Sequence, residues 1–554
     1  MVEISDIPVA LEHGPGEHDL LQAGVAAARK LLHVEPQAIR HAELHRVSID
    51  ARKKHDVHFI VSVHLELADA AAERKALADV RERDRRRVRI VDDAAPSWPA
   101  PAPAALRPAA RPIVVGAGCA GLFAALTLAE AGLEPLLIER GDDAGRRTRA
   151  VEAFNATGTL DPESNIQFGL GGAGTFSDGK LTTGTKNPAH RLILETFVHA
   201  GAPREILWDA KPHIGSDILP AVVTHIVARI RERGGEVRFR CRMVDLERGR
   251  GGAIRSITVN AGGADERIPA SHLILACGHS ARDVFELLQR RGVRLARKTF
   301  AMGARVEHLQ ADVNRAQYGP AAAHPALGAA PYKLVAHVAG GRSLFTFCMC
   351  PGGEVVAAAS EPGGVVTNGA SLHARAGVNA NAALLVNVTP DDLPGTDVLA
   401  GIELQRRCER AAFELGGGAY RAPAQLVGDF LAGTPSTGAG HVEPTYPRGV
   451  TWGAIDPALP AHIRETMRLG LPLLARKLRA FEDPEAVLTG VETRSSSPIS
   501  VVRSRACEAE STPGLYPCGE GAGYAGGIMS AATDGIRCAE QVIRALGAEG
   551  DGPR

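Results

Sequence analysis

The sequence lacks an excess of either charge. Its 63 basic and 63 acidic residues cancel, which argues against a protein that grips nucleic acid through a broad cationic field. It also lacks any apolar run near the ~20 residues needed to span a bilayer. Met1 to Ala10 carries Glu3 and Asp6 and shows no cationic stretch followed by an apolar core, so no secretory signal is expected there. The nine cysteines are an odd number without disulfide-framework spacing, which points to a reduced, cytoplasmic compartment. No C-x-x-C or C-x-x-x-x-C pair occurs, so disulfide-reductase chemistry is not expected. The composition excludes collagen, coiled coil and wholesale disorder. What is abundant is glycine: 61 of 554 residues, or about 11% against a usual ~7%.

At ~100–200 residues per domain the chain holds roughly three or four domains' worth of sequence. Residues 1–93 read as a small α+β module, with an amphipathic helix over Glu17 to Leu32 and strands over His45–Ile49 and Val57–Leu67. The stretch Ala68 to Arg87 reads as helical at first. The charges of Arg81 to Arg87 are mixed with acids and read as a solvated face. Residues 94–112 alternate proline with alanine and read as a semi-rigid linker. Beyond it the pattern is mixed α/β with a β-rich middle. Helices are expected at Ala189–Ala200, Ile218–Arg233, Thr396–Glu414, Ala461–Ala480 and Ala531–Leu546.

The first glycine cluster, Gly116-Ala117-Gly118-Cys119-Ala120-Gly121, fits G-x-G-x-x-G. Alone this is weak, but its context strengthens it. The strand Ile113-Val114-Val115 precedes it, and a helix over Ala120 to Ala131 follows and closes at Gly132. A second strand ends at Glu139 and Arg140. Gly116 permits the tight turn, Gly118 lets a pyrophosphate approach the backbone, and Gly121 lets helix and strand pack closely. The helix N-terminus offers free N–H groups and a positive dipole end. Glu139 is placed to meet a ribose hydroxyl, which favours FAD or NAD over NADP. No second fingerprint follows, and the downstream chain does not continue as regular βα units. Instead, a strand over His272 to Ala276 ends at Cys277-Gly278. Near the C-terminus Gly519-Glu520-Gly521 leads into Gly527-Ile528-Met529. That is how FAD domains close, with Glu520 serving the ribityl and phosphate region. The helix end lies near the flavin, where it would stabilise negative charge on the reduced ring.

Four segments carry a family resemblance: Phe168 to Leu181, Phe347 to Gly353, Gly490 to Pro498, and Cys518 to Gly535. A fifth, Ser48 to Lys54, extends it to the small module. Together they make the chain resemble the bacterial FAD-dependent dehydrogenases of the glutathione-reductase-like superfamily, over nearly its whole length. The resemblance implies an α/β fold: a Rossmann-like FAD-binding domain with an inserted β-rich substrate domain and a small N-terminal α+β domain. The expected boundaries are 111–298 and 485–547 for the FAD domain, with 299–484 between them. The resemblance implies FAD and an oxidoreductase, and it names a cofactor better than a reaction. One departure is Leu170, where a polar or acidic residue is expected.

The expected cofactor contacts are Gly116, Gly118, Cys119, Ala120, Gly121, Glu139, Arg140, Gly172, Gly174, Thr175, Ser177, Val237, Gly278, Gly519, Glu520, Gly527, Ile528 and Met529. The Gly169–Gly179 turn is expected to pack its backbone against the flavin, with Thr175 and Ser177 offering hydroxyls. Arg494 is the one catalytic candidate: a cation there would orient a carboxylate or stabilise reduced flavin, or else serve as a structural tie. His213 and His279 qualify as acid/base groups by residue type alone. Cys348 and Cys350 alternate on a strand, so both thiols face one side with Met349 opposite. An i,i+2 disulfide is strained and no further metal ligands lie nearby, so packed thiols are expected and no metal. The expected reaction is hydride transfer between flavin N5 and a small organic substrate, with NAD(P)H or another electron donor as a second partner. Neither membrane nor nucleic acid is an expected partner. A flavin monooxygenase, an RNA-modifying flavoenzyme and a non-catalytic FAD-binding protein stay open as alternatives.

Overall fold

The computed structural model describes residues 1–91, 97–99 and 111–550. The expected linker lies outside the described residues except for 97–99 and 111–112. There Trp98 lies under the Arg229 guanidinium, 5.5 Å from its ring centroid.

The N-terminal module is an antiparallel four-stranded sheet in the order Ile39–Asp50, His58–Leu67, Val2–Val9, Val88–Ile90. The helix Glu17–Leu32 lies on it. Gly24 permits that approach, since a Cβ there would stand 2.8 Å from Val63. The module is docked rather than tethered. Val47 exchanges backbone hydrogen bonds with the Trp208–Ala210 segment, both at 2.8 Å, and the Lys54 ammonium donates to the Gln317 carbonyl.

The second domain is built on a parallel five-stranded sheet. Its order is Leu515–Pro517, Leu273–Leu275, Ile113–Val115, Leu136–Ile138, Glu236–Arg238. The first four strands are fully buried three-residue runs, and the fifth is half-buried at its polar ends, as expected of a parallel sheet covered on both faces. The helices Cys119–Glu130 and Ile528–Gly550 pack together on one face. A Cβ at Gly535 would stand 2.1 Å from the Ala120 carbonyl, so only glycine allows this contact. An antiparallel sheet of Cys241–Arg248, Ile254–Ala261 and Ala264–Pro269 leads back into the parallel one. The α/β class and the Rossmann-like organisation read from the sequence are present.

The third domain centres on a seven-stranded sheet. Its order is Val335–His337, Ser343–Cys350, Asn379–Val388, Phe300–Leu309, Val487–Glu492, Ala422–Leu426, Val450–Trp452. Val487–Glu492 pairs with Phe300–Leu309 inside this sheet, so the boundary expected at 485 falls after Glu492. The strand Phe300–Leu309 was not legible in the pattern because it buries charge: Arg305, Glu307 and His308 are 0%, 0% and 1% exposed. Among the described residues, no helix is long and apolar enough to cross a membrane.

Candidate functional site

The strand Ile113–Val115 runs into Gly116 at φ +98°, a conformation that favours glycine. Space confirms the requirement. A Cβ at Gly116 would stand 2.5 Å from the Ala276 carbonyl, and one at Gly121 would stand 1.8 Å from the Gly116 carbonyl. The helix begins at Cys119 with Gly118 as N-cap and no side chain capping it, so its first N–H groups are left for a ligand. The Cys119 thiol donates to the Ile528 carbonyl at 3.3 Å and ties the two helix starts together.

Glu139 takes a different task from the one expected. Its carboxylate is buried and accepts the N–H groups of Ala117 at 2.7 Å and of Gly141 and Gly169, each at 2.9 Å. A carboxylate has about four lone-pair sites, so about one is left for a ribose hydroxyl. Its main work is to join three turns.

The glycine-rich turn from Gly169 is organised by a residue that sequence reasoning missed. Arg147, on the helix Ala144–Thr157 and fully buried, donates to the carbonyls of Asn165, Ile166, Gly169, Leu170 and Gly172. Its signal in the sequence was only one arginine among several in Arg146-Arg147-Thr148-Arg149. The loop then lies directly on the first glycine turn. Gly171 donates to the Ala117 carbonyl at 2.8 Å, and a Cβ at Gly172 would stand 3.0 Å from the Gly118 Cα. The hydroxyls of Thr175 and Ser177 are spent inside the loop, on the Leu170 carbonyl at 3.0 Å and the Gly174 carbonyl at 2.7 Å. Leu170, expected to be polar, is 1% exposed and packs in the domain core.

Arg140 is also engaged within the protein. It pairs with Glu163 and Asp283, each at 2.9 Å, and its guanidinium covers the Phe168 ring. Val237 sits at the middle of the strand Glu236–Arg238, opposite Leu137. Met529 is buried in the core, whereas Ile528 approaches Gly174, where a Cβ would meet it at 3.5 Å. Gly519, at φ +77°, donates its N–H to Asp534 at 2.8 Å.

Burial pushes the Glu520 carboxyl up to about 7, with the Gly527 N–H and Lys298 opposing. The folded protein therefore holds a proton that the unfolded chain releases above about pH 4.5. The resulting stabilisation is present below that value and is lost as pH rises towards 7. Glu520→Gln is expected to remove this pH-dependent increment, measured as the difference between wild-type and variant melting temperatures across that range.

Arg494 has a structural task. Its guanidinium meets Glu409 at 3.1 and 2.9 Å and reaches the Ser360 hydroxyl, and the side chain is 2% exposed. Glu409 also holds Arg282 at 2.7 and 2.9 Å. The carboxylate on the helix Ala400–Leu415 thus clamps the third domain to the second. Of the histidines, His279 is held down to about 3 by burial and by Arg494 and Arg282, and His213 to about 4 by burial and Arg375, so both are neutral near pH 7. Among the described residues two clusters bring metal-type ligand atoms together: Glu3, His45 and His64, and Cys507, Asp534 and Cys538. In the second, Arg503 already occupies Asp534 at 2.6 Å.

Four glycines mark an open face. A Cβ at Gly278, Gly526 or Gly527 would meet no protein atom within 4 Å, and one at Gly118 only the Gly172 Cα at 3.9 Å. At Gly116, Gly121, Gly169 and Gly171 glycine is needed for protein contact; here it leaves a surface without side chains for something else to approach. The residues fit a dinucleotide that runs from a helix N-terminus across glycine backbone. Parallel sheet, glycine turns and paired helix ends define a dinucleotide-binding flavoprotein.

Comparison with known proteins gives the particular family. Residues 299–495 match the FAD-dependent protein, C-terminal domain-like family, and residues 114–173 match the NAD(P)-binding Rossmann-like domain. Residues 1–66 match a domain of unknown function. An uncharacterized protein of Clostridium beijerinckii is 43% identical over 517 residues, covering 93% of this chain and 94% of its own. The chain belongs to this family of FAD-dependent proteins, and its cofactor is FAD. Similar solved structures include the flavin-dependent brominase Bmp2 (13% identity, 79% of each chain, TM-score 0.38). Another is the glycerol-3-phosphate dehydrogenase of Bacillus halodurans complexed with FAD (11% identity, 81% of this chain and 67% of that one, TM-score 0.35). These two likenesses are too distant to carry an argument about activity.

Proposed function

We propose that this flavoenzyme is an oxidoreductase that moves a hydride between flavin N5 and a small organic substrate held under the third domain. The observation that carries the reading is the seam beside the glycine turns, where the third domain is fastened to the cofactor loop. Asp178 takes the Arg375 guanidinium at 2.9 and 2.6 Å. The Ser216 N–H donates to the Ser371 carbonyl at 3.0 Å, and the His373 N–H to Asp217 at 2.8 Å. The His213 and His373 rings stack at 5.1 Å. A substrate under this roof would be oriented against a fixed cofactor.

Bound FAD supplies the hydride chemistry, and the chain supplies position, charge and dryness. Phe347 and Leu372, on two segments of the roof, stay 46% and 58% exposed, apolar surface that an organic substrate would cover. His213 Nε2 lies 2.9 Å from the His373 carbonyl. Its proton therefore belongs on Nε2, and Nδ1 of the neutral ring keeps a lone pair to take a proton. No second dinucleotide fingerprint follows the first, so NAD(P)H or another donor would use the same cofactor face in turn. All nine cysteines are free, which fits a reducing cytoplasm.

Anaerobic titration of the bound flavin against NADH, NADPH and a substrate panel tests the reading. Loss of flavin absorbance on adding one of them is the expected result. A flavin bleached by dithionite but by no organic donor would overturn it in favour of a non-catalytic FAD protein.

A further inference from the structure

The strand Ser343–Cys350 does not run flat to its end. It pairs with Asn379–Val388 in register from Leu344↔Val386 to Phe347↔Ala383, then slips, so that Cys350 faces Asn381. The extra residue is a bulge, and Cys348 sits in it at φ +41°. A non-glycine residue in that region costs about 1–2 kcal/mol. The simple alternation read from the sequence is therefore broken at this position. The bulge keeps the two side chains beside each other: the Cys350 thiol donates to the Cys348 carbonyl at 3.3 Å.

The surroundings are strongly charged. Arg305 reaches the Cys348 carbonyl at 3.2 Å while it holds Glu492 at 2.6 and 2.9 Å. Lys180, just past the cofactor loop, has a buried Nζ. That nitrogen has no hydrogen-bond partner, and its one ion pair is Asp178 at 3.0 Å, a carboxylate already shared with Arg375. Burial pulls the Lys180 ammonium down, yet the neighbouring Cys350 and Cys348 thiols and Asp178 leave it raised. The Cys348 thiol is brought down to about 5 by the Cys350 hydrogen bond, Lys180 and Arg305, against burial and Asp178. The Cys350 thiol is pushed up, first by that same hydrogen bond and then by burial. The two also differ in access: Cys348 is half-buried and adjoins exposed Phe347, whereas Cys350 is 0% exposed. A thiolate with access beside a buried neutral thiol is the layout of an attacking and a resolving cysteine. The pair also lies near the cofactor loop: a Cβ at Gly352, two residues beyond Cys350, would stand 1.8 Å from the carbonyl of Arg375, whose guanidinium holds Asp178 of that loop.

We propose that Cys348 and Cys350 are a redox-active dithiol that exchanges two electrons with FAD. In the oxidising direction the Cys348 thiolate and the Cys350 thiol form an S–S bond. They give up two electrons and the Cys350 proton to oxidised FAD, which leaves as its singly protonated reduced anion. One proton and one negative charge stand on each side, so the step balances without a further oxidant. The i,i+2 spacing makes such a disulfide strained and readily reduced, as a reversible carrier requires. The exchange rests on the reading of the site as redox-active; the thiolate does not.

Two measurements on the full-length holoprotein test it. In brief iodoacetamide labelling followed by peptide mapping, Cys348 is expected to react already near pH 6 while the other thiols react only at alkaline pH. Labelling of Cys348 only above about pH 8 would overturn the proposal. In anaerobic dithionite titration, the oxidised wild type is expected to take up about four electrons per FAD, and Cys350→Ser and Cys348→Ala about two each. The oxidised wild-type peptide should be about 2 Da lighter than its reduced form. Uptake of about two electrons by wild type, with both thiols free, would overturn the exchange. Protein without flavin absorbance would instead remove the cofactor reading, with the labelling result still judging the thiolate.

Discussion

Gly121→Ala is expected to yield protein without flavin colour and with stability lowered by about 3 kcal/mol. The added Cβ would stand 1.8 Å from the Gly116 carbonyl oxygen and 3.0 Å from its carbon. Gly116 has nowhere to go, since its own Cβ direction is closed by the Ala276 carbonyl at 2.5 Å. Helix and strand must therefore separate, and the first turn of the helix Cys119–Glu130 moves off the open face. Gly132→Ala serves as a control. Gly132 has a positive φ of +78°, but a Cβ there meets nothing within 4 Å, so the change should cost about 1 kcal/mol and leave FAD in place. Flavin absorbance per protein and urea denaturation read both effects. A Gly121→Ala protein with full flavin content would contradict the role given to this turn.

Glu409→Ala should cost about 3–5 kcal/mol, because it leaves the guanidiniums of Arg282 and Arg494 buried without their shared carboxylate. Both side chains are 2% exposed or less. Arg282 keeps Glu361, and Arg494 keeps Ser360 with Glu361 at 3.7 Å, so the loss is partial rather than total. Glu409 also accepts the Thr493 hydroxyl at 2.6 Å, which extends the damage to the end of the strand Val487–Glu492. Burial raises the Glu409 carboxyl, but Arg494 and Arg282 hold it well below the usual carboxylate range. Its contribution is thus complete above about pH 4.5 and drains away as pH falls. Denaturation at neutral and acid pH should show a wild-type advantage that shrinks in acid. An equal advantage at both would contradict the clamp.

The legible parts of the molecule were those where backbone must approach backbone. Gly116, Gly118 and Gly121 have spacing dictated by a turn, a ligand and a helix contact, and the structure shows the first and third of these as would-be clashes. The apolar runs of the parallel sheet were equally plain. Charge buried in pairs was not legible. Arg305 and Glu492 lie on adjacent strands 187 residues apart in sequence, and singly each looks like a surface residue that breaks an apolar pattern. Arg147 was hidden for a related reason: its partners are carbonyls, which have no residue type. The backbone partners that Glu139 takes, beyond the ribose hydroxyl expected of it, depend on where Gly169 folds back. Cys348 and Cys350 were seen as a pair; the bulge that sets their relation is a matter of register between strands.

The open glycine face has a consequence for folding itself. A Cβ at Gly278, Gly526 or Gly527 would meet no protein atom within 4 Å and one at Gly118 only the Gly172 Cα at 3.9 Å, so FAD seated there would complete packing that the chain leaves unfinished. Native protein and free cofactor are then linked by mass action. Free FAD at a hundred times its dissociation constant would add about 2.7 kcal/mol to unfolding, and at a thousand times about 4.1. The melting point of this protein is then expected to be a property of the solution as well as of the chain.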